Sequence, residues 1–289
     1  MSYQIIEVNR LEGTLASSCR ALGVSYSGYC AWRNRLPSQR QLSDERLLEE
    51  IRMIQASGRG LYGSPRIYNA LKKQGKQVSR KRVARLMHQN GLNSRRRPKR
   101  RIRTTDSQHN RRVAPNLLAR AFHAEAPNEK WVGDIVGIWT HEGWLYLATL
   151  LDIFSRRIIG WAMRSQRDEQ LVTDALCMAL HYRILHPEQG PLHHTDRGSQ
   201  YTAHEYLQLL DDHNILVSMS GKGDPYDNAM MESFFSTLRA ELTDLETFAT
   251  RAEARLALFD YLELFYNRQR IHSSLDYVSP VDFEAAYQM

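Results

Sequence analysis

Cysteine is nearly absent: the 289 residues hold three, Cys19, Cys30 and Cys177, with no CxxC spacing. That argues against a disulfide framework or a cysteine-rich zinc site and for a reducing compartment. His193, His194, His204 and His213 come without the HxxxH helix or cysteine pair that zinc would want. Long apolar runs are missing too. The longest, about Trp144 to Leu151, is far short of the roughly 18 residues that cross a membrane, and no charged-then-apolar leader opens the chain. A cytoplasmic protein with no membrane partner is expected. Acid is scarce at the front: residues 1–123 hold 26 Lys/Arg against 7 Asp/Glu, a balance of +19, while the remainder holds 13 against 25, a balance of −12. So uneven a division points the front half at a polyanion and leaves the back half able to hold metal with carboxylates.

What is present builds on that division. A hydrophobic content of 42% allows a sizeable core shared among two or three small domains. Thr14 to Trp32 read as two short helices around Gly23, with Leu15, Ala16, Cys19 and Leu22 on one apolar face, so residues 1–43 form an N-terminal helical segment and a candidate helix-turn-helix. After Pro37, Asp44 can cap a helix carrying Leu47, Leu48, Ile51 and Ile54. Ser64 and Pro65 read as N-cap and first residue of the next helix, closed by Gly75, and Ser79 caps a third with Val83, Leu86 and Met87 inward. The spacing suits a helix-turn-helix DNA-binding domain over residues 44–94. Arg80, Lys81, Arg82 and Arg85 decorate its third helix, where a recognition helix meets bases and phosphates. Arg95, Arg96, Arg97, Lys99, Arg100, Arg101 and Arg103 follow, interrupted only by Pro98 and Ile102. Such density cannot fold on itself, and a DNA-gripping basic linker over residues 95–125 is the expectation.

From Trp131 the pattern changes to strands. Trp131 to Trp139, Trp144 to Asp152 and Arg157 to Met163, joined by short turns, predict an antiparallel meander. A helix with Leu171, Val172, Ala175, Ala179 and Leu180 inward comes next, then a strand running from Pro191 into Asp196. A helix from about Ala203, a strand at Ile215 to Met219 and an amphipathic helix carrying Glu232 complete an α/β order over residues 126–245. In that last helix Glu232, Ser236 and Arg239 share a face opposite Met231, Phe234 and Leu238. Thr250-Arg251-Ala252-Glu253 reads as a capping box opening a helix with Leu256, Phe259, Leu262 and Phe265 inward, so residues 246–289 are a helix and tail packed on the core. Asp152 also ends a strand, and Arg156 and Arg157 beside it predict a salt-bridged turn. The Gly221-to-Pro225 stretch reads as a substrate loop containing Lys222.

Asp134 is the odd residue of the first strand, because a carboxylate in an apolar strand costs several kcal/mol unless a cation or donors compensate it. With Asp196 at a strand end and Glu232 on a helix, three carboxylates on separate elements would suit hard divalent ions and phosphodiester chemistry. At these residues the chain becomes recognisable. Trp131-Val132-Gly133-Asp134, His194-Thr195-Asp196-Arg197-Gly198-Ser199-Gln200-Tyr201 and Asp227-Asn228-Ala229-Met230-Met231-Glu232 resemble the three acidic motifs of DDE transposases and retroviral-type integrases. More narrowly they resemble the second-reading-frame (OrfB) product of bacterial insertion sequences. Tyr62-Gly63-Ser64-Pro65-Arg66-Ile67 and Tyr266-Asn267-Arg268-Gln269-Arg270-Ile271-His272-Ser273-Ser274-Leu275 resemble that family as well.

The resemblance covers nearly the whole chain, in order. It implies a ribonuclease-H-like catalytic domain preceded by a small all-α helix-turn-helix region. Asp134, Asp196 and Glu232 would be catalytic and would hold two Mg2+ or Mn2+ ions. It implies DNA, both element ends and target, as substrate, cutting of element ends and joining of the 3′ hydroxyl to target DNA. A homo-oligomer on DNA and the upstream-frame product are the implied partners, and Lys222 and Arg239 are added to the DNA contacts. Two alternatives stay open: a DNA-binding regulator with a vestigial catalytic domain, and a ribonuclease-H-like nuclease without strand transfer. Val136-Gly137 departs from the family pattern, which has a threonine and an aromatic there.

Overall fold

The computed structural model describes residues 2–8, 14–94, 113–185, 190–221 and 224–287. Three short helices come first: α1 (Ser2–Val8), α2 (Leu15–Ala21) and α3 (Tyr26–Arg33). The first was not legible in the sequence; its Ile6 packs with Cys19 and Tyr29 in a small core of its own. Ser25 caps α3, accepting from the Gly28 N–H. Of the apolar face expected on α2, Cys19 is buried, while Leu22 is 40% exposed.

The next three helices, α4 (Gln39–Ser57), α5 (Ser64–Lys73) and α6 (Arg80–Gln89), pack Leu47, Ile51, Ile67, Leu71, Val83, Leu86 and Met87 together. Two caps differ from expectation. Ser38, not Asp44, opens α4, and it forms a full capping box with Gln41. A serine and a glutamine three apart satisfy two amides at once, which Asp44 within the run cannot do. In α5 the N-cap is Gly63, so Ser64 and Pro65 both lie inside the first turn. Ser79 caps α6 as its sequence predicts.

The back half is a five-stranded sheet in the order β3-β2-β1-β4-β5. β1 (Lys130–Thr140), β2 (Gly143–Asp152) and β3 (Ile158–Arg164) form the antiparallel meander, and β4 (Leu192–Thr195) and β5 (Leu216–Met219) run parallel to β1. One face is covered by α7 (Glu169–Tyr182) and α8 (His204–Asp212), which bury Leu171, Val172, Tyr206 and Leu210 against Trp131, Ile135 and Ile159. The other carries α9 (Ala229–Leu238) and α10 (Arg251–Phe259) over Val132, Ile138, Leu145 and Leu147. Sheet first, helices on both faces, is the α/β arrangement that the sequence order predicts. It is the ribonuclease-H-like topology, with the small helical region ahead of it.

The C-terminal portion corrects two details. Thr250 does cap α10, accepting from the Glu253 N–H, but the Glu253 carboxylate takes the Ala249 N–H at 2.7 Å, one residue ahead of the cap. Beyond Phe259 the helix widens to a π-helix over Asp260–Tyr266 before the short α11 (Pro280–Tyr287). Leu262 and Phe265 are buried as expected, whereas Leu256 and Phe259, within α10, are 72% and 46% exposed and Leu258 and Tyr261 take their place; a run of strict i+3 steps drifts off the face of a 3.6-residue helix. No helix among the described residues is long and apolar enough to cross a membrane.

Candidate active site

Val132 on β1 stands opposite His194 on β4. Two residues further on come Asp134, within β1, and Asp196, just past the end of β4, so parallel pairing at the sheet centre delivers two carboxylates to one edge. They act on each other electrostatically. The Asp134 carboxyl is pushed up to about 8, first by burial and then by the Asp196 charge, with Glu232 adding in the same direction. The Ile135 N–H, 2.7 Å from Asp134, and the Arg167 charge oppose that rise. Asp196 accepts from the Gly198 N–H at 2.9 Å, which fixes the turn after β4. Tyr201 is fully buried; burial and then the charges of Asp134 and Asp196 raise its hydroxyl pKa, so it remains a neutral phenol.

Glu232 arrives from α9. Met231, Phe234, Phe235 and Leu238 of that helix are buried, which turns Glu232 outward in the first turn, where the helix dipole favours a carboxylate. The start of α9 is tied down beside Asp134, because Asn228 Nδ2 donates to the Gly133 carbonyl at 3.2 Å. Just ahead, the buried Asp227 carboxylate accepts from the Gly221 N–H, Asn116 Nδ2 and Arg120 Nε at 2.8 to 2.9 Å. The Gly221 N–H first, and then Arg120, hold its pKa below the usual carboxylate range against the opposing effect of burial. Arg120 also pairs with Asp224. The Leu117 and Leu118 N–H groups donate to Ser218 Oγ on β5. The segment before the sheet thus straps the loop that launches α9. Asn116, Arg120, Asp227 and Asn228 were not singled out from sequence, although Asp227-Asn228 sits within the motif around Glu232.

The acid set fits a hard divalent cation. All three donors are carboxylates, and the Asp134–Asp196 repulsion is what a bound cation would relieve. Among the described residues, however, no three Asp, Glu, His or Cys side chains converge closely enough to hold an ion as they stand. Glu232 is the exposed member and has room to swing. His194 is turned elsewhere: its ring lies between Ser218 Oγ at 2.8 Å and Ser220 Oγ at 3.1 Å, and burial pushes it down to about 4. His193 contacts the Tyr206 hydroxyl at 2.7 Å. The departure at Val136-Gly137 has a packing reason, since a Cβ at Gly137 would lie 3.1 Å from the Trp144 ring.

Asp152 is not a member of the site, and its partners differ from those expected. Its carboxylate is fully buried and accepts from the Asn128 and Phe154 N–H groups, with Arg183 at 3.6 Å. Arg157 and Arg183 both pair with Glu284 instead. Partners some 30 and 130 residues away cannot be read from a local turn.

The candidate DNA contacts divide into three groups. Arg80 and Lys81 are exposed on α6, while Arg82 and Arg85 are both held by Asp44 of α4, at 2.6 and 2.7 Å. Arg95, Arg96, Arg97, Lys99, Arg100, Arg101, Arg103 and Lys222 lie outside the described residues. Arg239 is half-buried at the end of α9, where a π turn (Arg239–Thr243) begins.

Family models match this chain in three places: an HTH-like domain over residues 42–100, and an integrase core domain over residues 124–225 and again over 213–280. A 31 kDa protein of insertion element IS600 from Shigella sonnei is 44% identical over 93% of this chain and 98% of its own length. The transposase of insertion sequence IS904 from Lactococcus lactis is 44% identical over 87% of this chain and 98% of its own. The transposase InsF of insertion sequence IS3A from Escherichia coli is 39% identical over 98% of both.

Proposed function

Because the chain belongs to the insertion-sequence transposases that carry an integrase core domain, we propose that it cuts phosphodiester bonds at the ends of its element and joins the freed 3′ hydroxyls to target DNA. The observation that carries this reading is the Asp134–Asp196 pair on adjacent parallel strands, with α9 anchored by Asn228 to the backbone beside it. Asp134, Asp196 and Glu232 are the residues we assign to catalysis and to holding two Mg2+ or Mn2+ ions. When bound, such ions activate the attacking oxygen and stabilise the leaving one. The residues have separate duties. Asp134 and Asp196, set in the sheet, supply a rigid pair of oxygens. Glu232, exposed on its helix, closes on them from the third side. The strap through Arg120 and Asp227 holds the start of the helix that carries Glu232.

DNA reaches the site across the basic front half, with Arg80 and Lys81 of α6 exposed and, among the described residues, without an acid to release. Arg82 and Arg85 must leave Asp44 before touching phosphate, so they are secondary. Simultaneous hold on two element ends calls for a homo-oligomer on DNA, and the upstream-frame product is the further partner we assign. The test is incubation of the chain with labelled linear DNA bearing candidate element ends, in magnesium or in EDTA, beside Glu232→Gln. Metal-dependent nicking and joined products, both abolished in the variant, are expected. Nicking without joined products would leave a nuclease. Binding with no cleavage by the parent chain would leave a regulator.

A further inference from the structure

Tyr62-Gly63-Ser64-Pro65-Arg66-Ile67 and the tail from Tyr266 to Leu275 lie about 200 residues apart in sequence, and the fold docks one onto the other. The Tyr62 hydroxyl accepts from the Ile271 N–H at 3.1 Å and donates to the Gln269 carbonyl at 3.3 Å. This docking encloses a cavity of about 260 Å³ whose walls come from four places: Arg66 on α5, Arg156 in the β2–β3 turn, Ser233 and Thr237 on α9, and Arg270 and His272 in the tail. A second opening of about 230 Å³ adjoins it, lined by Arg66, Thr237, Glu241 and Arg270.

The charge inside is unbalanced. Among the described residues Glu241 is the one acid on these walls, and it is already taken by Arg270 through two hydrogen bonds at 2.7 and 2.8 Å. Among the same residues neither Arg66 nor Arg156 has an acidic partner; Arg66 rests over the Tyr62 ring, 5.5 Å from its centre. Arg270 and His272 are 5% and 7% exposed. The His272 imidazole is pushed down to about 2, by burial first and then by Arg270, Arg66 and Arg156 in turn, so three cations from three separate elements converge on one ring. Arg156 meets them from a left-handed backbone (φ 58°), a conformation that a non-glycine residue holds at a cost and that strain at functional sites commonly explains. Two guanidiniums without an acidic partner among the described residues, Arg66 and Arg156, beside serine and threonine hydroxyls and a third guanidinium whose acid takes only part of its donors, are a recognition set for a tetrahedral oxyanion.

We propose that this cavity seats a backbone phosphate of DNA, held by Arg66, Arg156 and the remaining N–H groups of Arg270, with Ser233 and Thr237 adding hydroxyl donors. The inference rests on the transposase reading for the nature of the polymer. Ser233 adjoins Glu232, so a phosphate seated here lays the strand along the catalytic helix. It also gives the tail a function, since Arg270 and His272 complete a site that the sheet and helices alone would leave open. Arg66 carries the front helical region into the same site, which makes strand binding and docking of that region one event.

Two readouts in EDTA test this on the full chain. Inorganic phosphate at millimolar concentration should raise the Tm of the parent protein and leave Arg66→Gln and Arg156→Asn unmoved, with Arg66→Lys retaining part of the shift. Affinity for duplex DNA, titrated with salt, should show the slope of log K against log salt shallower by about 0.9 for each phosphate that a variant no longer grips. Far-ultraviolet circular dichroism on both variants separates misfolding from weakened binding, and asparagine is chosen at 156 because it tolerates the left-handed backbone. Phosphate stabilisation that disappears in the variants, with an unchanged salt slope, would make the cavity a free-phosphate site and overturn the DNA assignment. No phosphate effect together with an unchanged slope would overturn the pocket itself. Neither result depends on metal-dependent cleavage, so the catalytic reading stands or falls separately.

Discussion

Asp134 illustrates what a single residue can disclose. Its carboxyl, at about 8 in the fold against an ordinary 3.8, stays protonated near pH 6 while the unfolded chain has released its proton. Between those values the unfolded state binds fewer protons, so this group removes stability as pH rises from about 4 toward 8. In EDTA, Asp134→Asn should therefore denature at higher urea than the parent at pH 8, by the equivalent of roughly 1–3 kcal/mol, and the two should converge near pH 4. Parallel profiles would mean that the carboxyl is not held neutral. Glu241 makes the opposite case, an acid bonded to a buried cation. Glu241→Ala would strand Arg270 in the interior and should cost about 3–5 kcal/mol by chemical denaturation, a loss that Glu246→Ala, on an exposed position, should not reproduce. Asp134, Asp196 and Glu232 stand out as candidates in the sequence because each sits in a distinctive local motif. Arg66, Arg156 and Arg270 gave no such signal as a group, since what unites them is tertiary proximity.

At the scale of elements, strands were the easiest to read. Their apolar runs are long and the turns between them short, so β1, β2 and β3 fall within about a residue of expectation. Helix faces were harder: the run Leu256, Phe259, Leu262, Phe265 steps by three and drifts off a 3.6-residue face, and nothing in the residue types marks the π turns after Leu238 and after Phe259. The expected cap of α4 at Asp44 failed because a capping box needs its partner three residues on, and it is Ser38 that has Gln41 there. One junction between elements is set by a missing side chain. A Cβ at Gly160 on β3 would lie 2.2 Å from the Ala175 carbonyl oxygen and 2.9 Å from the Ala179 Cβ, so α7 rests directly on the strand backbone. Gly160→Ala must push the helix away, with an expected loss of about 1–3 kcal/mol seen as a lower urea midpoint at unchanged m. An unchanged midpoint would show that α7 can slide without penalty.

Across the whole molecule the apolar core is continuous from the front helices into the half that holds the sheet. Leu47, Ile51, Ile67 and Val83 belong to the same cluster as Val132, Phe234, Leu262 and Tyr266. Arg59 reinforces that junction, pairing with Asp260 at 2.5 Å and lying 4.4 Å from the centre of the Phe265 ring. A junction of this kind couples the two halves thermodynamically, so residues 39 to 94 and the sheet should melt together in one calorimetric transition. Tyr62→Phe tests the coupling with little change in shape: it deletes the hydroxyl that accepts from Ile271 and donates to Gln269, and leaves the Ile271 N–H unpaired. The expected cost is about 1–2 kcal/mol, carried as a downward shift of the single transition. If the variant instead splits the melt into two steps, with the larger unmoved, the front helices fold as an independent unit. The cavity beneath Tyr62 would then open and close by domain motion rather than stand preformed.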